Sequence, residues 1–140
     1  MNKSIIAHSP AEMEEIGIEL ASILKDGMVV SLVGPLGSGK TTLTKGIAKG
    51  LLIMDVVVSP SYVIARSYEG RLRMHHIDAY RLSSLDELFE AGLEDFLPPE
   101  SGISVVEWPD RIEGLVEISD LHVTIEPLDG DDRRVNVSEA

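Results

Sequence analysis

Gly34-Pro35-Leu36-Gly37-Ser38-Gly39-Lys40-Thr41 satisfies the pattern G-x-x-x-x-G-K-[ST] at every fixed position. Its flanks constrain the fold further. Upstream, Met28-Val29-Val30-Ser31-Leu32-Val33 is a β-branched apolar run suited to a strand buried on both faces. Downstream, Leu43, Ile47, Ala48, Leu51 and Leu52 keep helical spacing. Strand, glycine-rich loop and helix in that order form a P-loop. The arrangement predicts an α/β protein with a P-loop NTPase-like three-layer fold, its central sheet mostly parallel with added antiparallel strands.

The loop carries a chemistry as well as a fold. Glycines let successive backbone N–H groups approach phosphate oxygens, which a Cβ would obstruct. The next helix points its positive end at the same anion. Gly34, Leu36, Gly37, Ser38 and Gly39 are therefore candidate nucleotide-binding positions. Lys40 is suited to the β and γ phosphates, Thr41 to a Mg²⁺ shell and Thr42 to the α-phosphate. ATP and Mg²⁺ are the implied cofactors. Such a loop also needs an acid at the end of a neighbouring strand. Asp78 ends Leu72-Arg73-Met74-His75-His76-Ile77, and Glu107 ends Ile103-Ser104-Val105-Val106, so both are candidates for metal binding and catalysis. Neighbouring strand residues point to opposite faces, so His75 and His76 are poorly placed to share a metal and are expected to be structural. Trp108, the only tryptophan, is either a core anchor or a neighbour of the nucleotide.

The remaining pattern predicts one domain over residues 1–140. Ser4–Ala7 is a strand candidate. Ser9, Pro10 and Glu12 have the form of a helix start, and Lys25-Asp26-Gly27 that of its end. Two strands, Tyr62–Tyr68 and Leu72–Asp78, are expected to join through a tight hairpin at Glu69-Gly70. Ser84 and Glu87 open a short helix that fades near Gly92. Leu121–Ile125 and Val135–Val137 read as a closing antiparallel pair around Asp129-Gly130.

The charge is −12 and unevenly placed: residues 1–50 sum to zero, 51–75 to +1 and 76–140 to −13. So acidic a chain is not expected to bind DNA or, on its own, tRNA, because phosphate neutralisation supplies most non-specific affinity. No apolar run approaches the roughly 20 residues of a membrane span, and the first residues lack a signal-peptide core. With no cysteine, the composition fits a reducing cytoplasm.

With these residues placed, the chain resembles the TsaE family, small ATPases required for threonylcarbamoyladenosine (t⁶A) biosynthesis in tRNA. Four blocks carry the likeness: Gly34–Thr42; Ser59-Pro60-Ser61-Tyr62; His76-Ile77-Asp78-Ala79-Tyr80-Arg81-Leu82; and Val106-Glu107-Trp108-Pro109. The resemblance implies a switch-like segment at Ser59, Pro60, Ser61 and Tyr62, and a Mg²⁺ shell involving Thr41 and Glu107. It also implies Asp78 as a Walker-B-like acid, Trp108 close to the nucleotide, and Arg134 as a nucleotide contact. One departure is Ser61, where the family usually has Thr. A TsaB–TsaD heterodimer is the implied partner, with tRNA engaged only indirectly.

Two other functions compete. A small-molecule P-loop kinase would need an Arg-rich lid segment, which the sequence does not offer. A nucleotide-binding regulatory module without turnover would have less need of both Asp78 and Glu107.

Overall fold

The computed structural model describes residues 2–60 and 64–139. One sheet organises the chain. Its strands are β1 (Lys3–Ala7), β2 (Val29–Val33), β3 (Ala65–Tyr68), β4 (Met74–Asp78), β5 (Ile103–Glu107), β6 (Leu121–Pro127) and β7 (Arg133–Glu139), in spatial order β1-β7-β6-β2-β5-β4-β3. The four central strands run parallel, β6 with β2, β2 with β5 and β5 with β4. The outer pairings β1–β7, β6–β7 and β3–β4 are antiparallel. The expected class and sheet are therefore present.

Period-two alternation assigns each strand residue to a face. Val30, Leu32, Val105, Leu121, Val123, Val135 and Val137 share a core with α1 (Pro10–Ala21) and α2 (Lys40–Gly50). Val29, Ile77 and Val106 point the other way, into a core with Leu88 of α3 (Leu85–Glu90) and with Leu93, Leu97, Ile112 and Leu115. That third layer is thin. It consists of one short helix, loop segments and a 3₁₀ turn at Pro109–Arg111, and on the same face of β6 Thr124 and Glu126 are exposed.

α1 and α2 pack through glycine. A Cβ at Gly17 would collide with the Leu43 carbonyl, and one at Gly46 with the Glu14 carbonyl. The close approach presses α2, and with it the loop at its start, against the rest of the core. Both predicted capping serines act: the Ser9 hydroxyl accepts from the Glu12 N–H, and the Ser84 hydroxyl from the Glu87 N–H. The return bonds, however, reach one residue further out, from the His8 N–H to Glu12 and from the Ser83 N–H to Glu87.

Among the boundaries that depart from the sequence reading, two have a visible cause. α1 ends at Ala21, short of Lys25, because the N–H groups of Ser22, Ile23 and Leu24 bond three residues back and tighten the last turn. The β3–β4 connection is not a tight turn at Glu69-Gly70. Tyr68 pairs with Met74, so residues 69–73 form a longer loop, which the Arg71 N–H ties to the Leu51 carbonyl beyond α2. A Cβ on Gly70 would strike that same carbonyl. No helix among the described residues is long and apolar enough to cross a membrane.

Candidate functional site

The glycine-rich loop lies at the carboxyl edge of the parallel strands, where open α/β sheets place their ligand sites. It leaves β2 after Val33 and re-enters regular structure at Lys40. Gly37 (φ +77°) and Gly39 (φ +110°) hold left-handed conformations that a side chain would strain. Gly39 caps α2 without any side-chain hydrogen bond, so the first amides of the helix face the loop's concavity without a capping oxygen. Ser38 Oγ is buried without a hydrogen-bond partner and packs against Gly34 inside the loop.

Lys40 is buried at the mouth of this loop. Its Nζ donates to the Gly34 carbonyl at 2.6 Å and lies 3.1 Å from the centroid of the Trp108 ring. Burial pushes the ammonium pKa below its ordinary value, and the charges of Glu107, Asp110 and Asp78 oppose that shift. Trp108 itself has left-handed backbone angles, φ 60° and ψ 39°, which turn the chain sharply out of β5. Tyr80 meets its ring edge-on, and Arg111 lies over the Tyr80 ring.

Asp78 and Glu107 are register partners at the ends of β4 and β5. Alternation puts both on the α2 side of the sheet. The Thr41 hydroxyl donates to Glu107 Oε2 at 3.4 Å, and His76 Nε2 lies 2.5 Å from the same oxygen. Asp78 Oδ1 instead accepts from the Tyr80 backbone N–H at 2.9 Å. Thr41, Asp78 and Glu107 line a cleft of about 300 Å³ together with Leu36, Gly37, Ser38, Gly39, Lys40, Thr42, Ser59 and Trp108. Beside Thr42 a smaller depression of about 130 Å³ is formed with Ser9, Pro10, Met13, Asp131 and Arg133.

The fold thus gathers most of the residues singled out in the sequence. Arg134 is not among those lining the cleft. Its side chain pairs with Glu126 at 3.0 Å, and its strand position is on the face away from α2. Arg133, one residue earlier and on the helix-covered face, borders the loop instead. Sequence reading passed over it, although its two-residue spacing from Val135 was available. Ser59 lines the cleft, and the Pro60 carbonyl accepts from the Ile64 N–H. Ser61 and Tyr62 lie outside the described residues. His75 and His76 diverge as alternation requires: His75 bonds to Ser67 and stacks on Phe96, whereas His76 meets Glu107. Contact with Glu107 was not anticipated, yet His76 and Asp78 are two apart and so share a face.

A family model described as threonylcarbamoyl adenosine biosynthesis protein TsaE matches residues 7–135. The chain belongs to the TsaE family. A TsaE protein of Bacillus subtilis is 37% identical over 128 residues, which is 91% of this chain and 79% of that protein. One from Aquifex aeolicus is 33% identical over 96% of this chain and 95% of its own length. Another, from Streptomyces coelicolor, is 44% identical over 75% of this chain and 73% of that protein. Among solved structures, Bacillus subtilis YdiB superposes with a TM-score of 0.76 at 31% identity, covering 99% of this chain and 86% of that one. The TsaE family is one of t⁶A biosynthesis in tRNA, and the open loop and cleft here fit a nucleotide-binding member of it.

Proposed function

We propose that this TsaE-family chain is a Mg²⁺-dependent ATP hydrolase whose turnover serves t⁶A formation by acting on a TsaB–TsaD-type heterodimer. One observation carries the reading. An uncapped helix start, a buried lysine and a hydroxyl–carboxylate pair converge on a single cleft at the sheet's carboxyl edge. The donors suit the metal: Thr41 and Glu107 offer hard oxygens, and Mg²⁺ is commonly held by one or two protein oxygens plus phosphate and water. A bound Mg²⁺ would supply charge neutralisation between the outer phosphates.

The chain's own residues perform the rest. The amides of Gly37, Gly39, Lys40 and Thr41 receive the phosphate oxygens, the Ser38 N–H being held by the Pro35 carbonyl, and Lys40 moves from the Gly34 carbonyl to the β and γ phosphates. Thr41 and Glu107 would hold the metal. Asp78, held by the Tyr80 N–H, orients the attacking water or the segment beginning at Ser59. Trp108 covers the outer side and limits water entry. The depression between Thr42 and Arg133 is the natural exit for the α-phosphate and nucleoside.

A protein partner is favoured by the surface beside the cleft. Leu52, Met54, Val56 and Val58 are exposed, Met54 to 93% and Val56 to 81%, and the run leads directly into Ser59. Apolar surface of that kind suits protein contact better than nucleic acid. The overall charge of −12 argues in the same direction, leaving tRNA to the partner.

Phosphate release measured with and without a TsaB–TsaD heterodimer tests the proposal. Slow release alone and faster release with the pair are expected. Transfer of phosphate to a small acceptor would favour the kinase reading, and binding without release in either condition would favour a regulatory module.

A further inference from the structure

We infer that His76 is a positioning residue that holds the Glu107 carboxylate toward Thr41 and the metal, and away from Lys40. The inference rests on the proposed Mg²⁺-nucleotide site. His76 is fully buried on β4, which pairs with β3 on one side and β5 on the other, where an apolar side chain would fit the core without polar cost. Its Nε2 lies 2.5 Å from Glu107 Oε2, while its Nδ1 is buried with no hydrogen-bond partner. With Glu107 ionised, Nε2 carries the proton and donates. The other nitrogen is then left unsatisfied, which is costly in a sheet core. A histidine kept only for packing has no reason to carry that cost. The Nε2–H donor is what the position supplies.

The surroundings explain why Glu107 needs a donor. Lys40, Asp78 and Glu107 line one cleft, and Glu107 is the first of the charges acting on the Lys40 ammonium. A free carboxylate would be drawn to that ammonium, and each group would then be lost to its own phosphate or metal task. His76 and Thr41 both bond to Oε2. Among the described residues Oε1 takes no bond, so it retains its lone pairs for a ligand. Groups that orient a metal-binding side chain in this way typically change metal affinity about 10–100-fold when removed.

The test uses H76F, which fills the space without a donor, and H76Q, whose side-chain amide can replace the Nε2–H. The probe is Mn²⁺, titrated into the ATP-bound chain and followed by electron paramagnetic resonance, with ATP affinity measured separately in chelator. H76F is expected to fold, to bind ATP in chelator as the wild type does, and to bind Mn²⁺ about 10–100-fold more weakly. H76Q should restore most of the Mn²⁺ affinity. Mn²⁺ affinity of H76F within about twofold of wild type would overturn the inference. So would equal loss of ATP affinity in chelator, loss in H76Q as large as in H76F, or failure of H76F to fold, since each makes His76 structural. Absence of Mn²⁺-ATP binding by the wild type would instead remove the nucleotide site on which the inference stands.

Discussion

The Lys40 ammonium occupies two contacts at once, donating to the Gly34 carbonyl at 2.6 Å and lying 3.1 Å from the Trp108 ring centroid. Both are contacts that a phosphate would displace, because a charge-assisted bond to an anion is stronger than one to a neutral carbonyl. Trp108 is the only tryptophan in the chain, so its emission reports the exchange directly. Addition of ATP to the wild type is expected to change that emission saturably. Lys40→Ala should lose the saturable change, with phosphate release lower by on the order of 100-fold or more. Unaltered release by Lys40→Ala at saturating Mg²⁺ would sink the phosphate-loop assignment.

A second relationship ties the first strand to the last hairpin. His8 Nδ1 lies 3.0 Å from Asp132 Oδ1. The hydrogen bond and charge of Asp132 raise the His8 pKa above 6.5, with Glu12 adding to the effect and slight burial opposing it. A raised folded-state pKa means that this contribution to stability is fully present below the unfolded value of about 6.5. It fades as pH rises through the folded value. His8→Gln removes the titration. The difference in Tm between wild type and His8→Gln should therefore shrink from about pH 5.5 to about pH 8.5. A difference that grows over that range contradicts the assigned pairing.

Much of this site was legible before any coordinates, and the reasons are local. The G-x-x-x-x-G-K-T spacing dictates its own backbone, since Gly37 and Gly39 must adopt positive φ for the loop to close. Asp78 and Glu107 could be placed because each ends an apolar or mixed strand, and parallel pairing brings such ends together. What sequence missed depends on partners far away in the chain. The β3–β4 loop length follows from Arg71 bonding to Leu51, a tertiary contact that overrode the turn preference of Glu69-Gly70. Arg134 was carried by likeness alone, while the faces of β7, fixed by pairing with β6, bring Arg133 to the loop. The role of His76 lies in a contact across 31 residues with Glu107, which becomes visible only when β4 and β5 pair.

The remaining prediction separates the two acids. They leave the sheet side by side, but their partners differ. Glu107 shares its Oε2 with the Thr41 hydroxyl, the loop group proposed to face Mg²⁺, whereas Asp78 is engaged by the Tyr80 backbone in a local turn. Glu107→Gln preserves shape and removes a full negative charge beside Thr41. It should raise the Mg²⁺ concentration needed for tight ATP binding by roughly tenfold or more and abolish most phosphate release. Asp78→Asn keeps an oxygen able to accept from the Tyr80 N–H. It should lower turnover through water or segment positioning while shifting the Mg²⁺ requirement less. ATP affinity and phosphate release across a Mg²⁺ titration distinguish these outcomes, because a metal defect is partly rescued by excess Mg²⁺ and a positioning defect is not. If Asp78→Asn shifts the Mg²⁺ requirement and Glu107→Gln leaves it untouched, the two roles are reversed. If neither variant changes either quantity, the acids are bystanders and the chemistry must be sought on the other side of the loop, toward Arg133.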